Sequence, residues 1–315
     1  MRIVVAGGAG FLGSHLCDQL IGRGDRVVCV DNFVTGSSQN VEHLVGHKAF
    51  ELVEQDITQP LAVGGGVEAV MNFASPASPK DYYALPIETL DVGSLGTRNL
   101  LELARLKSAR FFMASTSEVY GDPAVHPQTE DYWGNVNPIG ERSCYDEGKR
   151  CAETLAFDYY REHGLEIRVA RIFNTYGPRM ALDDGRVVSN FVKQAIENTP
   201  MTIYGDGSQT RSFQYVSDLV AGLVALMDGE HTGPINIGNP GEFTMKELAD
   251  KVREVVNPDA TTVFKENTSD DPGRRKPDIS KAKKLLNWEP KVPLIEGLKL
   301  MEPDFRKRLS GGDEP

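Results

Sequence analysis

Through the first half of the chain, short apolar runs alternate with amphipathic stretches. Residues 2–6, 26–30, 50–54, 69–74, 110–115 and 167–173 read as strands. Between them run helical patterns, clearest where Leu12, Leu16 and Leu20 recur at four-residue spacing before Gly22 and Gly24 stop them. Two further helices are expected over 87–106 and 145–163. Strands alternating with helices of this length imply right-handed crossovers and a doubly wound parallel sheet covered on both faces, an α/β fold. Such a sheet binds ligands at the carboxyl ends of its strands.

From about residue 175 the texture changes. Glycine, proline and charge become denser, and helices are expected over 187–198, 217–227, 244–256, 280–286 and 295–308. The expected division is a sheet domain over 1–174, to which about 213–238 returns, a smaller α+β substrate-binding domain over 175–212 and 239–310, and a frayed tail over 311–315.

Charge narrows the function. The chain of 315 residues carries 34 Lys and Arg against 45 Asp and Glu, a net charge of −11. An acidic protein lacks the basic face that nucleic acid or anionic lipid requires. The opening Met1-Arg2-Ile3-Val4-Val5-Ala6 reads as a buried strand rather than a secretory leader, and the longest apolar stretch, 219–227, is far shorter than the ~20 residues of a membrane span. A soluble, cytoplasmic protein is expected. Cys17, Cys29, Cys144 and Cys151 show no paired spacing and read as reduced thiols.

A glycine turn follows the first strand and opens the first helix. Gly8-x-Gly10-x-x-Gly13 and Gly7-x-x-Gly10-x-x-Gly13 fit it equally well. Glycines there allow a tight turn and close approach of N–H groups to a pyrophosphate. Asp31 stands 18 residues past Gly13 at the end of the second strand, where a carboxylate accepts hydrogen bonds from an adenosine ribose. That acid repels a 2′-phosphate, and Asn32 follows rather than an arginine, so NAD is expected over NADP. A glycine turn without ligand is the bland alternative.

Tyr145 and Lys149 fall four apart on one helix face. A lysine ammonium beside a phenol favours the phenolate, which would lower the tyrosine pKa and make it a general base. By itself the pair is a common helix turn. Its weight comes from Ser115-Thr116-Ser117-Glu118 at the carboxyl end of the fifth strand, the edge where a parallel sheet exposes chemistry.

At these residues the chain resembles the extended short-chain dehydrogenase/reductase family, in its nucleotide-sugar-decarboxylating branch. The matching segments are Ala74-Ser-Pro-Ala-Ser-Pro79, Thr116-Ser-Glu-Val-Tyr-Gly-Asp122, Cys144-Tyr-Asp-Glu-Gly-Lys-Arg150, Arg171-Ile-Phe-Asn-Thr-Tyr-Gly-Pro-Arg179, Thr210-Arg-Ser-Phe-Gln-Tyr-Val-Ser-Asp218 and Asp271-Pro-Gly-Arg-Arg-Lys-Pro-Asp278. Related 4,6-dehydratases carry Thr-Asp-Glu where this chain has Thr116-Ser117-Glu118, so the acid for dehydration is missing. Related 4-epimerases usually have small residues in place of both Ser117 and Glu118.

The resemblance implies NAD-dependent conversion of UDP-glucuronate to UDP-xylose. Tyr145, assisted by Lys149 and Thr116, would take the proton of the C4 hydroxyl as hydride leaves C4 for NAD⁺. The 4-keto sugar would lose CO₂, be protonated at C5 and be reduced again. Glu118 and Arg275 match residues assigned to the decarboxylation stage, Arg275 orienting a water as proton donor, with Ser117 as a lesser member. The implied cofactor-binding residues are Gly7, Gly10, Phe11, Leu12 and Gly13 at the turn, and Asp31, Asn32, Phe33, Thr35 and Gly36 after the second strand. Asp56 and Ile57 follow the third strand, Phe73, Ala74 and Ser75 the fourth, and Tyr145 and Lys149 complete the set. Asn174, Arg186, Tyr204, Arg211 and Arg275 lie where the family contacts the nucleotide sugar, and arginine forks suit phosphate oxygens. A surface ion pair is the alternative for Arg186 in particular. The family also implies a homodimer, in which the Tyr145 helix and the preceding long helix form a four-helix bundle; Leu155, Phe157 and Tyr159 are compatible with it or with core packing.

Other features carry no chemistry. His43 and His47 have no third ligand, so no metal site is expected. Cys144 has no base beside it, and Trp288 reads as a core anchor. Two departures from the family stand out: Gly93 replaces an asparagine and is expected to loosen its helix, and Gly64-Gly65-Gly66 is expected to make a longer, more mobile loop. A 4-epimerase or 4,6-dehydratase of the same fold, or a non-enzymatic NAD-sensing regulator, are the competing readings; regulators of that kind commonly lose the tyrosine–lysine pair.

Overall fold

Six parallel strands, β1 (Arg2–Ala6), β2 (Arg26–Asp31), β3 (Phe50–Glu54), β4 (Ala69–Asn72), β5 (Arg110–Thr116) and β6 (Ile167–Ile172), form the body of the protein. The structure is a computed structural model that describes residues 1–266 and 274–311. A seventh strand, Ile235–Ile237, pairs beside β6, and the sheet order from that edge is Ile235–Ile237, β6, β5, β4, β1, β2, β3. The order reverses at β1, the position at which such sheets open a crevice above their strands. Asp271-Pro-Gly273 of the last family segment and residues 312–315 of the expected tail lie outside the described residues.

Alternation along each strand assigns the two faces. Ile3 and Val5 pack with Leu16, Leu20, Cys29 and Phe112 on one side, beneath α1 (Phe11–Gly22). Val4 and Ala6 pack with Val70, Leu100, Ala104 and Ala152 on the other, beneath α4 (Thr97–Lys107) and α5 (Ser143–His163). Both faces are covered, which is why β1 and β4 read as unbroken apolar runs. A smaller part is built on Thr210–Ser212, which pairs antiparallel with Glu242–Thr244 and parallel with Arg274–Arg275. Trp288 is buried against Gly222, and its indole N–H donates to the Asp218 carbonyl at 3.0 Å, so it anchors the core as expected.

The helix expected over 87–106 is more articulated than its pattern suggests. α2 (Pro79–Ala84) and α3 (Pro86–Asp91) precede a π turn over Val92–Gly96, which leads directly into α4. The looseness expected of Gly93 therefore takes the form of a widened turn, yet the residue is buried and closely packed. A Cβ there would stand 2.9 Å from the backbone of Gly148 on α5. The second departure also behaves differently from expectation: the Arg2 guanidinium donates to the carbonyls of Gly64 and Gly66, and Lys107 donates to that of Gly65 at 2.9 Å. These bonds tether the triglycine loop at three consecutive carbonyls. His43 pairs with Asp18 at 2.6 Å.

Candidate active site

The glycine turn resolves the choice that spacing left open. Gly7 adopts φ +73°, where a side chain is strained, and a Cβ on it would stand 2.6 Å from the backbone of Phe73 and Ala74. A Cβ on Gly13 would stand 2.0 Å from the Gly7 carbonyl oxygen, so the helix start can lie this close to the turn only as glycine. Gly8 has a different task, making room for the Cys29 thiol. Gly10 caps α1 without a side-chain hydrogen bond, and the first-turn amides of Phe11, Leu12 and Gly13 have no carbonyl of their own helix to meet. Such an end favours a diphosphate.

Asp31 closes β2 beside this turn. Its carboxylate accepts from the Ala9 amide at 2.9 Å and the Phe33 amide at 3.0 Å, and Gly36 packs against it. Burial pushes its pKa up against those amides. The Asn32 amide donates to Asp56, and Asp56 in turn holds the Thr58 amide ahead of buried Ile57. Thr35 is exposed; Phe73 stacks on Phe112 at 6.0 Å; Ala74 donates its N–H to the Asn72 side chain, and Ser75 follows half-buried. A narrow turn, free helix-end amides and a carboxylate one strand away fit a dinucleotide without a 2′-phosphate.

Thr116 ends β5 beside the buried phenol of Tyr145, where its hydroxyl favours the phenolate. Lys149 sits one turn along α5, with its ammonium 5.8 Å from the Tyr145 ring centre, donating to the Ala114 carbonyl at 3.0 Å. The lowered tyrosine pKa expected from this pair is not what the environment gives. Burial pushes Tyr145 up to about 12, the Thr116 hydrogen bond opposing it, and burial brings Lys149 down to about 8. Desolvation disfavours both charged forms, and the cation that acts on the phenol is Arg186 rather than Lys149.

Glu118 follows on the turn Ser117–Tyr120, with Ser117 buried at its start. Its carboxylate is gripped by two guanidiniums, Arg142 at 2.7 Å and Arg275 on the opposite oxygen. Burial alone would raise its pKa, but the two cations hold it far below the ordinary carboxylate value. Arg275 also donates to the Gly121 carbonyl. Across the strand pair, Arg275 stands in register with Arg211, whose guanidinium donates to the Thr210 carbonyl.

Arg186 caps α6 (Val187–Ile196), bonding the Ala77 carbonyl at 2.6 Å and Asp184 at 3.2 Å; its charge acts on Tyr145 and Glu118. It therefore faces the site rather than open solvent. The Asn174 carbonyl accepts from the Gln214 amide, and Tyr204 is exposed at the end of Met201–Tyr204. Tyr145, Lys149, Thr116, Glu118, Arg275 and Arg186 are thus brought together, whereas among the described residues Tyr204 pairs with Lys265 and bonds Gln209 rather than any of these.

With this geometry in place, comparison with known proteins is decisive. A family model described as GDP-mannose 4,6 dehydratase matches residues 4–301. The chain belongs to this family. Within the family, UDP-glucuronic acid decarboxylase 1 of Arabidopsis thaliana is 63% identical over 314 residues, spanning 100% of this chain and 72% of that protein. UDP-glucose 4-epimerase of Thermotoga maritima, solved with UDP-glucose, is 31% identical with a TM-score of 0.89, over 98% of this chain and 100% of that one. UDP-glucuronic acid 4-epimerase of Bacillus cereus, solved with UDP-glucuronic acid and NAD, is 28% identical with a TM-score of 0.84, over 98% and 99%. Like these extended short-chain dehydrogenase/reductase relatives, the chain is an enzyme.

Three further residues at the site were assigned no role by the sequence. Arg142, the second cation on Glu118, lies three residues before Tyr145 and could have been found as one helical turn from it. Tyr82 on α2 stacks on Tyr145 at 5.4 Å and lies beneath the Arg142 guanidinium at 5.8 Å. Asp146 sits inside the tyrosine–lysine motif itself, and burial, then the charge of Glu118, raise its pKa to about 7.

Proposed function

We propose that this protein decarboxylates UDP-glucuronate to UDP-xylose. The observation that carries the reading is the paired arrangement at the end of β5: Thr116 on the Tyr145 phenol, and, two residues on, Glu118 between Arg142 and Arg275. The first is suited to proton removal from a hydroxyl. The second concentrates cations next to it, where a sugar carboxylate needs orienting. A small Ser117 leaves the site without the acid that dehydration uses.

NAD is assigned to the glycine turn and Asp31, and the sugar nucleotide to Arg186, Arg211 and Arg275 with Asn174 and Tyr204. This places the cofactor in the part formed by 1–174 and about 213–238, and the substrate against 175–212 and 239–310. When bound, NAD supplies a hydride acceptor at sugar C4 and later returns the hydride. Tyr145 takes the C4 hydroxyl proton, with Thr116 fixing the phenol and Lys149 setting the local charge. A 4-keto group lies β to the carboxylate, so CO₂ departs with its electron pair delocalised onto O4. Arg275 and Arg142 orient that carboxylate, and Glu118 keeps both guanidiniums in place. Mass spectrometry of the products from UDP-glucuronate and NAD⁺ tests the reading: CO₂ and UDP-xylose are expected, and accumulation of UDP-galacturonate would overturn it.

A homodimer through α5 and the helices before it is part of the proposal. Leu155, Phe157 and Tyr159 pack against the protein's own core, but Ile87, Leu90, Leu95, Leu106 and Tyr160 are exposed on these helices. Light scattering should give a dimer mass for the native chain and a monomer mass for the Leu90→Glu/Leu95→Glu variant. An unchanged mass for that variant would place the interface elsewhere. Among the described residues, no helix is long and apolar enough to cross a membrane.

A further inference from the structure

Glu118 presents a problem for the protonation that must follow loss of CO₂. Held between two guanidiniums, it is an anion and carries no proton at neutral pH. To carry one it must part from a guanidinium, and that cation needs another buried anion to pair with. The structure provides one. Asp146 lies one helical turn from Arg142 on α5, is only 7% exposed, and its Oδ1 has no hydrogen-bond partner among the described residues. Glu118, Arg142, Asp146 and Arg275 line the same cavity of about 240 Å³, bordered by Gly121 and Asn135.

We infer that Asp146 is a positioning residue for C5 protonation, storing the proton that Glu118 passes to the sugar and taking over Arg142 as it does so. The inference rests on the decarboxylase reading. In the resting arrangement Glu118 is charged and paired with Arg142 while Asp146 is neutral. In the exchanged arrangement Asp146 is charged and paired with Arg142 while Glu118 holds the proton. The total buried charge is the same in both, and Arg275 keeps its bond to the Gly121 carbonyl while Glu118 is neutral. The sugar enolate left by CO₂ departure uses its C4–C5 electron pair to form the C5–H bond with the Glu118 proton. The O4 carbonyl is restored, Glu118 returns to its two guanidiniums, and Asp146 takes a fresh proton from solvent.

The groups facing Asp146 agree with this role. Tyr145, Cys144, Glu147 and Arg142 approach from its own helix, Glu118 from the turn after β5, Arg275 from its strand and Tyr82 from α2, with Asp122 in the cavity wall. Burial and Glu118 keep the proton on Asp146 up to about pH 7. Arg142 and Arg275 act against them, and Arg142 becomes decisive once Glu118 releases it.

Single-turnover reactions of the full chain with UDP-glucuronate and NAD⁺ separate the steps. In the Asp146→Asn variant, NADH formation and CO₂ release are expected to persist. UDP-xylose formation is expected to fall by about 100-fold, with NADH and the enol left by CO₂ loss accumulating until solvent protonates it. Asp146→Glu should restore UDP-xylose. In the wild type the UDP-xylose fraction should decline as pH rises through about 7, and in Asp146→Asn it should be flat. A wild-type product ratio and pH profile in Asp146→Asn would overturn the inference. So would loss of NADH, CO₂ and UDP-xylose in equal proportion, which marks a structural role. A native chain that releases no CO₂ from UDP-glucuronate instead overturns the underlying decarboxylase reading, and the inference falls with it.

Discussion

Tyr145→Phe is expected to lower kcat by about 10³-fold or more while leaving NAD affinity within a few-fold of the native value. The substitution removes one hydroxyl and little else. The ring remains stacked on Tyr82, and the turn at Gly7–Gly13 lies on other elements. What disappears is the group beside Thr116 proposed to take the C4 hydroxyl proton. Because burial raises the phenol to about 12, its service as a base depends on nearby positive charge. Arg186 is the resident source acting on the phenol, with Lys149 one turn away, and a nicotinamide cation would add to them. Steady-state turnover of UDP-glucuronate together with NAD titration checks both halves. Wild-type turnover in the phenylalanine variant would remove Tyr145 from the base role.

Glu153→Ala is expected to destabilise the fold by about 3–5 kcal/mol, lowering Tm by roughly 6–15 °C. Glu153 binds the Arg171 guanidinium through both oxygens, at 2.9 and 2.8 Å, and accepts from the Ser115 hydroxyl at 2.6 Å. Arg171 also lies over the Tyr120 ring at 4.9 Å, and Tyr120 donates to Asn236 in the edge strand. Removing the carboxylate leaves a guanidinium that is 12% exposed without its anion. The alanine variant thus suffers more than the loss of one contact. Glu153→Gln, which keeps an acceptor for Ser115 and Arg171, should lose clearly less. Thermal unfolding distinguishes the two, and an unchanged Tm in Glu153→Ala would show that the pair contributes nothing net.

The central strands of the sheet were legible because they are buried on both faces, whereas β3 at the edge is largely exposed. Residues 2–6 and 50–54 match β1 and β3 residue for residue, and the others differ by one or two positions at an end. The glycine turn and the tyrosine–lysine helix were legible because each demands particular residue types within a few positions. Pairings made through space were less accessible. Glu118 and Arg275 are 157 residues apart, and only the family resemblance joined them. Arg142 and Asp146 look like ordinary solvated residues at a helix start, and only the packing of α5 against the turn after β5 buries them. The shift of Tyr145 was misjudged for a related reason. A sequence shows that a cation is one turn away, but not that both groups are withdrawn from water.

The contact between Gly93 and Gly148 has a consequence for how the site can adapt. α5 carries the tyrosine and lysine, and on the side of the π turn it meets its neighbour backbone to backbone, with no side chain between them to change rotamer. That wall of the site behaves as a fixed reference surface. Accommodation of sugars that differ in size at C5 must then fall to the opposite wall, where long arginine side chains reach in from the strand bearing Arg275 and from the start of α6. Altering substrate range by redesign should accordingly begin with those guanidinium arms and the groups that hold them, and leave the two glycines untouched.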